Sequence, residues 1–249
     1  MEKYTFNFEV PSYMSDIKYR LRAVSFMELA QDAAGKGADS MHFGDSDLKP
    51  LNAVWVLARM QLRFIDTPHR YDNVEFQTWH RGLQGAQYLR DYQMVDNGGK
   101  VLVASTSSWL IMEKTQRKML FGQILQDYIP SEPQCDEKSI EKACPKITIP
   151  AGLEMQHAGT HPVCYSDVDY NIHANNTKYV QWALDLLPQE YTVNGDLKEL
   201  LINFNREAHL GENVKLFLGT RTMEEHSEHF VEGLSEDGQQ IFICKLIFS

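Results

Sequence analysis

The chain has 249 residues, of which 43% are hydrophobic and 23% charged, a composition that excludes wholesale disorder. Its 34 acidic and 24 basic residues give a net charge of −10, which argues against nucleic acid or an anionic membrane as the main partner. No window approaches the about 18 apolar residues of a transmembrane helix, and no apolar signal-peptide core follows the first residue.

The first half begins with a predicted strand, because MEKYTFNFEV alternates apolar and polar residues. A helix is predicted from Ala23 to Ala38, where apolar residues recur at spacings of three and four. The small side chains of Ala30 and Ala34 would let a neighbouring element pack closely against it. Four strands are expected after this helix, at residues 54–65, 73–80, 87–95 and 100–112.

Residues 121–150 contain four prolines among mixed charges, which predicts a linker that crosses the surface. The second half then repeats the order of elements. Its helix is predicted from Tyr179 to Leu187, with Asn175 or Asn176 as N-cap and Pro188 as the stop. Four more strands are expected at residues 200–208, 213–222, 229–234 and 239–248.

An internal repeat relates the two halves. The turn glycines Gly98 and Gly238 are 140 residues apart, and the same offset pairs Val74 with Val214. Each half therefore reads as an antiparallel sheet wrapped around one long helix. The predicted fold is α+β, a tandem (double) hotdog, with an N-terminal hotdog at residues 1–125, a linker at 126–150 and a C-terminal hotdog at 151–249. The alternative of two unrelated α+β domains conflicts with the constant offset.

The densest polar cluster lies just before the second helix. Asp169, Asn171 and His173 alternate there, so in an extended segment their side chains would share one side. A helix N-terminus presents unpaired N–H groups that can polarise a carbonyl group. The competing interpretation is that these are turn and cap residues, and Asn175 in particular fits a cap better than a ligand. The spacing alone leaves both interpretations open.

The motif D-x-N-x-H-x-N-N-x-x-Y-x-x-W, from Asp169 to Trp182, resembles the signature of the plant and bacterial acyl-acyl-carrier-protein thioesterases. Three other segments are similar to that family: VWVLARMQLRFIDTP at 54–68, the hairpin and loop at 89–119, and INFNREAHLGENV at 202–214. The resemblance extends from about Tyr4 to Phe248, and the combination of segments is far more specific than any one of them.

The resemblance implies hydrolysis of the thioester that joins a fatty acyl chain to acyl carrier protein, which releases free fatty acid and terminates fatty acid synthesis. It implies that Asp169, Asn171 and His173 form the active-site trio and that Glu207 is a further acidic residue of the site. Plant members often have Cys after that Glu, whereas this chain has Ala208, so a thiolate nucleophile there is excluded. Water activated by Asp169 or Glu207 is the preferred mechanism, with the choice between them open.

The first half lacks the polar cluster, and the resemblance implies that it shapes the acyl pocket. The candidate pocket residues are Ala30, Ala34, Trp55 and Met60. Acyl carrier proteins are acidic, so a local basic surface is needed for docking on this acidic chain. The candidates for that surface are Lys114, Arg117 and Lys118. No cofactor and no metal are expected, and a homodimer is one open assembly state.

Two other functions remain as alternatives, an acyl-CoA thioesterase and a hotdog protein that binds acyl thioesters without cleaving them. The four cysteines have neither CxxC spacing nor a His partner at zinc-site distance, which predicts reduced thiols in a cytoplasmic protein. They are Cys135, Cys144, Cys164 and Cys244.

Overall fold

The computed structural model describes residues 3–142 and 144–249. The chain divides into two compact units, Met1–Pro145 and Lys146–Ser249. In the described part of each unit, an antiparallel sheet accompanies one α-helix, which is the arrangement that the sequence predicts. No helix in the described ranges combines the length and apolarity needed to span a membrane.

The first unit carries its helix early and its sheet afterwards. Its elements are β1 (Tyr4–Glu9), α1 (Ala23–Ser40), β2 (Ala53–Phe64), β3 (Asn73–Gln84), β4 (Gln87–Asp96), β5 (Val101–Glu113) and β6 (Met119–Leu120), with 3-10 turns at Ser12–Met14, Lys49–Leu51 and Gly122–Leu125. The sheet order is β1-β3-β4-β5-β2, every pair is antiparallel, and β6 adds to β5.

Small residues on α1 allow the helix to approach the sheet closely. Ala30, Ala34 and Gly37 are all buried on this face of the helix. Gly37 lets Arg90 of β4 approach the helix, because a Cβ atom at residue 37 would lie 2.8 Å from Nη1 of Arg90 and would force that side chain to shift. The helix predicted from Ala23 is confirmed, and it extends to Ser40.

The segment predicted to be a surface linker is anchored to the first unit at several points. The Ser139 N–H donates to the buried carboxylate of Asp91 at 2.9 Å, and the Trp79 indole donates to the Glu137 carbonyl at 2.9 Å. Ile140 is buried beside them. Most side chains of the segment are exposed, but around Ser139 it is anchored to the sheet, because buried polar groups there need hydrogen-bond partners.

The second unit has the same order of elements. They are β7 (Gln156–Pro162), α2 (Asn176–Asp185), a π-helical turn (Glu190–Asn194), β8 (Leu197–Phe204), β9 (Asn213–Thr222), β10 (Ser227–Leu234) and β11 (Gln240–Phe248). The sheet order is β8-β11-β10-β9-β7, again antiparallel. One expectation fails locally: β8 ends at Phe204 rather than at Ala208.

The repeat has one irregularity that the sequence offset hides. Val74 on β3 pairs with Phe8, and Val214 on β9 pairs with His161, so the offset of 140 holds between β3 and β9. In the last hairpin, however, the left-handed turn glycines are Gly99 (φ 81°) and Gly238 (φ 79°), which are 139 residues apart. The pairing of Gly98 with Gly238 is therefore wrong by one residue, because only the left-handed position requires glycine.

Two histidines are buried inside the units as neutral side chains. Nε2 of His80 donates to the Pro130 carbonyl at 2.8 Å, and burial, aided by the charge of Arg90, lowers the pKa of His80 to about 4. His229 contacts the hydroxyls of Thr220 and Ser227 at 3.0 and 2.9 Å, and burial lowers its pKa to about 4 as well. Between about pH 6.5 and 4 the unfolded chain therefore binds more protons than the native chain.

We expect the free energy of unfolding to fall as the pH is lowered through this window, by on the order of 3 kcal/mol per histidine. His80→Gln and His229→Gln should each reduce the pH dependence of the free energy of unfolding, which is measured by urea titration at several pH values. The surface variant His42→Gln is the control and should follow the wild type. A wild-type slope in both buried-site variants would contradict the prediction.

Candidate active site

The loop between β7 and α2 contains a tight turn rather than an extended segment. The Ile172 N–H donates to the Asp169 carbonyl at 2.9 Å, and Ile172 has a left-handed φ of 68°. The expectation that alternation places Asp169, Asn171 and His173 on one side of a strand is therefore wrong. A β-branched residue in this conformation is strained by about 1–3 kcal/mol, so the surrounding hydrogen bonds must hold it.

Asp169 is held by the loop through both carboxylate oxygens. Its Oδ1 accepts the Asn171 N–H at 2.8 Å, and its Oδ2 accepts a hydrogen bond from Nδ2 of Asn175 at 2.9 Å. Asn175 is also the N-cap of α2, as predicted, since its Oδ1 accepts the Thr177 N–H at 3.0 Å. The Asp169 side chain thus joins the turn to the first residues of the helix.

Glu207 comes beside His173 because two loops pair. After β8 ends, His209 forms an isolated antiparallel bridge with His173, and the Ala174 N–H donates to the Ala208 carbonyl at 2.8 Å. Nε2 of His173 then lies 3.8 Å from Oε1 of Glu207, with both side chains about a quarter to a third exposed. The carboxylate and imidazole expected from the resemblance are therefore adjacent and reachable from solvent.

His209 is a further member of this cluster that the sequence analysis missed. Its Nε2 lies 4.0 Å from Oε2 of Glu207, on the other side of the carboxylate from His173. The two imidazole rings are 6.4 Å apart. The E-x-H spacing after the last residue of a strand is the sequence signal that points to it, since alternate residues of an extended segment face the same way.

Asn171 lies at the exposed tip of the turn, with its backbone N–H bonded to Asp169. The start of α2 is less open than expected, because Asn175 accepts the N–H groups of both Thr177, through its side chain, and Lys178, through its carbonyl. Two of the four N–H groups at the helix start are thus already bonded.

Tyr179 connects the helix to the loop that carries Glu207. Its hydroxyl accepts the Ala208 N–H at 3.0 Å, and the ring is buried. Burial raises the pKa of Tyr179 well above its usual range, and the charges of Glu207 and Asp169 raise it further. The side chain is therefore a neutral structural contact at working pH.

The first unit builds the same loop with different side chains. Asp16 and Arg20 occupy the positions of Asp169 and His173, and Nη2 of Arg20 forms an ion pair with Oδ2 of Asp16 at 2.8 Å. Thr67 occupies the position of Glu207. A turn of the same shape therefore lacks the carboxylate–imidazole pair, as the absence of an N-x-H motif predicts.

The proposed pocket residues belong to the interior of the first unit. Ala30, Ala34 and Met60 are buried. Trp55 is half-buried in an apolar cluster around Phe43, and its indole donates to the Phe43 carbonyl at 2.9 Å. The helix residue in that cluster is Ala38, one turn beyond Ala34.

The proposed docking residues are all exposed. Lys114, Arg117 and Lys118 lie in the turn between β5 and β6. Glu113 shapes this turn, since its carboxylate accepts backbone N–H groups, including that of Thr115 at 3.0 Å. Within residues 3–142 and 144–249, no three His, Cys, Asp or Glu side chains are grouped so that they could hold a metal ion.

Comparison with known proteins gives a consistent family. The model of the acyl-ACP thioesterase N-terminal domain matches residues 1–130, and that of the C-terminal domain matches residues 153–248. Oleoyl-acyl carrier protein thioesterase 2 of Arabidopsis thaliana is 28% identical over 96% of this chain and 74% of its own length. Thioesterase 1 of the same plant is 27% identical over 82% of this chain, which spans 60% of that relative.

Solved structures agree with these matches. An acyl-ACP thioesterase from Bacteroides thetaiotaomicron superimposes with a TM-score of 0.81 at 26% identity, covering 98% of this chain and 97% of that one. The 12:0-ACP thioesterase of Umbellularia californica has the same fold, with a TM-score of 0.81 at 19% identity over 99% of this chain and 97% of that one. The tandem hotdog fold is thereby confirmed.

Proposed function

Since the chain belongs to the acyl-ACP thioesterase family and is therefore a hydrolase of acyl-ACP thioesters, we propose that Glu207 and His173 perform the hydrolysis. The observation that carries this proposal is the 3.8 Å approach of Nε2 of His173 to the Glu207 carboxylate beside the Asp169 turn. The products are free fatty acid and the thiol of the carrier's phosphopantetheine arm.

Glu207 is the general base in this proposal. It removes a proton from water as the water oxygen attacks the thioester carbonyl, and the C–S bond of the tetrahedral intermediate then breaks. His173 relays the proton to the sulfur, so water is added across the bond with no other reactant. The hydrogen bonds on both oxygens of Asp169 support an orienting role for that residue, because a base needs a lone pair directed at water.

Asn171 is proposed to stabilise the oxyanion that forms on the carbonyl. Its side chain lies at the exposed tip of the turn, and its amide group donates two hydrogen bonds. A thioester needs only this modest machinery, because a thiolate is a good leaving group and requires little acid assistance. The site therefore contains a base, a proton relay, an orienting carboxylate and an oxyanion donor.

The proposed compartment is the cytoplasm, on the basis of thiol chemistry. All four cysteines are free: Cys135, Cys144, Cys164 and Cys244. Burial raises the pKa of Cys144 to about 12 and raises that of Cys244 further, so neither thiol is reactive. Free thiols in separate places are typical of a reducing compartment. The Arabidopsis relatives named above are chloroplastic.

Glu207→Gln should lower kcat on acyl-ACP by about 10²–10⁴-fold, because it keeps the side-chain shape but removes the base. Thermal unfolding should be unchanged, since the side chain is partly exposed. Cys164→Ser is the matched control in the same unit and should retain wild-type turnover. Turnover within twofold of the wild type in folded Glu207→Gln would exclude Glu207 as the base.

The acyl-chain preference is proposed to reside in the first unit. Each buried methylene is worth about 0.8 kcal/mol, so two carbons change binding by roughly tenfold to twentyfold. Ala30→Val should shift the kcat/KM ratio toward shorter acyl chains by about tenfold, measured on carrier substrates of several lengths. Ala183→Val, at the equivalent position of α2, is the control and should leave that ratio unchanged. An equal loss on all lengths in Ala30→Val would show that Ala30 does not line the pocket.

Docking of the acidic carrier is proposed at the turn that carries Arg117 and Lys118. Reversal of both to Glu should raise KM for acyl-ACP by at least about fivefold, because each rim charge contributes roughly 0.5–1 kcal/mol. A small soluble thioester or acyl-CoA should be much less affected. Lys36→Glu/Lys138→Glu changes the net charge equally elsewhere on the same unit and is the control.

The wild-type KM for acyl-ACP should also rise with salt, as screened surface attractions do. The docking proposal fails if the double variant at Arg117 and Lys118 and the control double variant at Lys36 and Lys138 raise KM for acyl-ACP equally. It also fails if acyl-CoA is hydrolysed as efficiently as acyl-ACP with the same chain.

A further inference from the structure

Asp167 precedes Asp169 in the loop between β7 and α2, and its carboxylate is buried on the side of the loop that faces β7 and α2. Its Oδ2 accepts hydrogen bonds from Nε2 of His161, at 2.9 Å, and from the Cys164 N–H, at 2.8 Å. Its Oδ1 accepts a longer one from the Trp182 indole at 3.4 Å. Burial alone would raise the pKa of Asp167, but these donors outweigh it and hold the pKa below the usual range.

These contacts join three elements of the second unit. His161 comes from β7, Trp182 comes from α2, and the two rings pack at 4.3 Å between centroids. The backbone of Asp167 adds two bonds, since its N–H donates to the Cys164 carbonyl at 3.0 Å and its carbonyl accepts the Asn175 N–H at 2.9 Å. Asp167 therefore fixes the loop against the strand before it and the helix after it.

The first unit forms the same backbone without this carboxylate. Met14 stands at the equivalent position, its N–H donates to the Pro11 carbonyl at 3.0 Å, and its carbonyl accepts the Arg22 N–H at 3.0 Å. These two bonds are the counterparts of the two backbone bonds of Asp167. The positions that correspond to His161, Asp167 and Trp182 are all apolar in the first unit: Phe8, Met14 and Leu29. The loop therefore folds without a polar group at this place.

The first unit restrains its loop by a different contact, an ion pair within the turn itself. Its ion pair between Asp16 and Arg20 spans the two positions that correspond to Asp169 and His173. In the second unit the corresponding residues, Asp169 and His173, are proposed to take part in the reaction, so they cannot also be paired with each other. The second loop therefore requires a different restraint, one that does not pair Asp169 with His173.

We propose that Asp167 is a positioning residue for hydrolysis, which holds the loop from behind through His161, Cys164 and Trp182 so that Asp169 and His173 remain available for catalysis. This inference rests on the proposed roles of Asp169 and His173. Because the first unit shows that the backbone turn forms with Met14, the function of the carboxylate is to restrict movement of the loop rather than to fold it.

The test is Asp167→Met, which installs the side chain of the equivalent position. We expect the variant to fold, with kcat on acyl-ACP at least tenfold lower and KM within about twofold, because a shift of about 1 Å in a catalytic group costs up to about 10²-fold in rate. Asp185→Asn alters another carboxylate near His161 without touching the loop, and its kcat should match the wild type.

Hydrogen exchange gives a measurement that does not depend on activity. In Asp167→Met, the amides of Asp169, Ile172 and Ala174 should exchange at least tenfold faster than in the wild type, since all three donate within or from the loop. The peptide covering residues 14–22 of the same molecule is an internal control and should be unchanged. Wild-type exchange in the loop would overturn the positioning role even if the proposed function itself failed.

A triple variant separates positioning from stability. His161→Phe/Asp167→Met/Trp182→Leu reproduces the apolar set of the first unit, and we expect it to regain thermal stability relative to Asp167→Met while kcat stays at least tenfold low. If Asp167→Met does not fold, kcat and the hydrogen exchange of the loop amides are measured in the triple variant and in the milder Asp167→Asn instead. A folded variant without the carboxylate that turns over within twofold of the wild type would overturn the proposal.

Discussion

The hydrogen bond from the Ala174 N–H to the Ala208 carbonyl is the contact on which the rest of the site depends. It joins the loop that leads into α2 to the loop that leaves β8, two segments more than thirty residues apart in the chain. With the adjoining bridge between His173 and His209, it brings the Glu207 carboxylate beside an imidazole. Neither side chain would meet the other without this pairing of backbones.

The two units show how one backbone plan serves two purposes. In both, a left-handed residue closes the turn before the helix, Tyr19 with φ 63° and Ile172 with φ 68°. The first unit spends its polar side chains on an ion pair within the turn, between Asp16 and Arg20. The second unit has Asp169 and His173 at those positions, and we propose that Asp167 restrains its loop instead. The duplicated fold thereby keeps one architecture while the polar side chains of the two turns differ, and we propose that only the second copy is catalytic.

Electrostatics divide the molecule in a similar way. Buried histidines such as His80 and His229 are kept neutral by desolvation, and they serve packing and hydrogen bonding. The Glu207 side chain and the two imidazoles beside it are all partly exposed. Burial therefore distinguishes the histidines that pack inside the units from those that line the proposed site.

The sequence by itself determined the two copies of sheet and helix, the approximate positions of α1 and α2, an N-cap at Asn175 or Asn176, and the family, because periodicity and motif spacing are local properties of the chain. Only the tertiary structure decided the turn at Asp169, the packing of the segment around Ser139, and the placement of His209 beside Glu207. These depend on pairings between distant segments and on buried polar groups that need partners, and no spacing within one segment encodes such contacts. The role proposed for Asp167 depends on such contacts too, because the donors to its carboxylate come from His161 on β7, Trp182 on α2 and the loop between them.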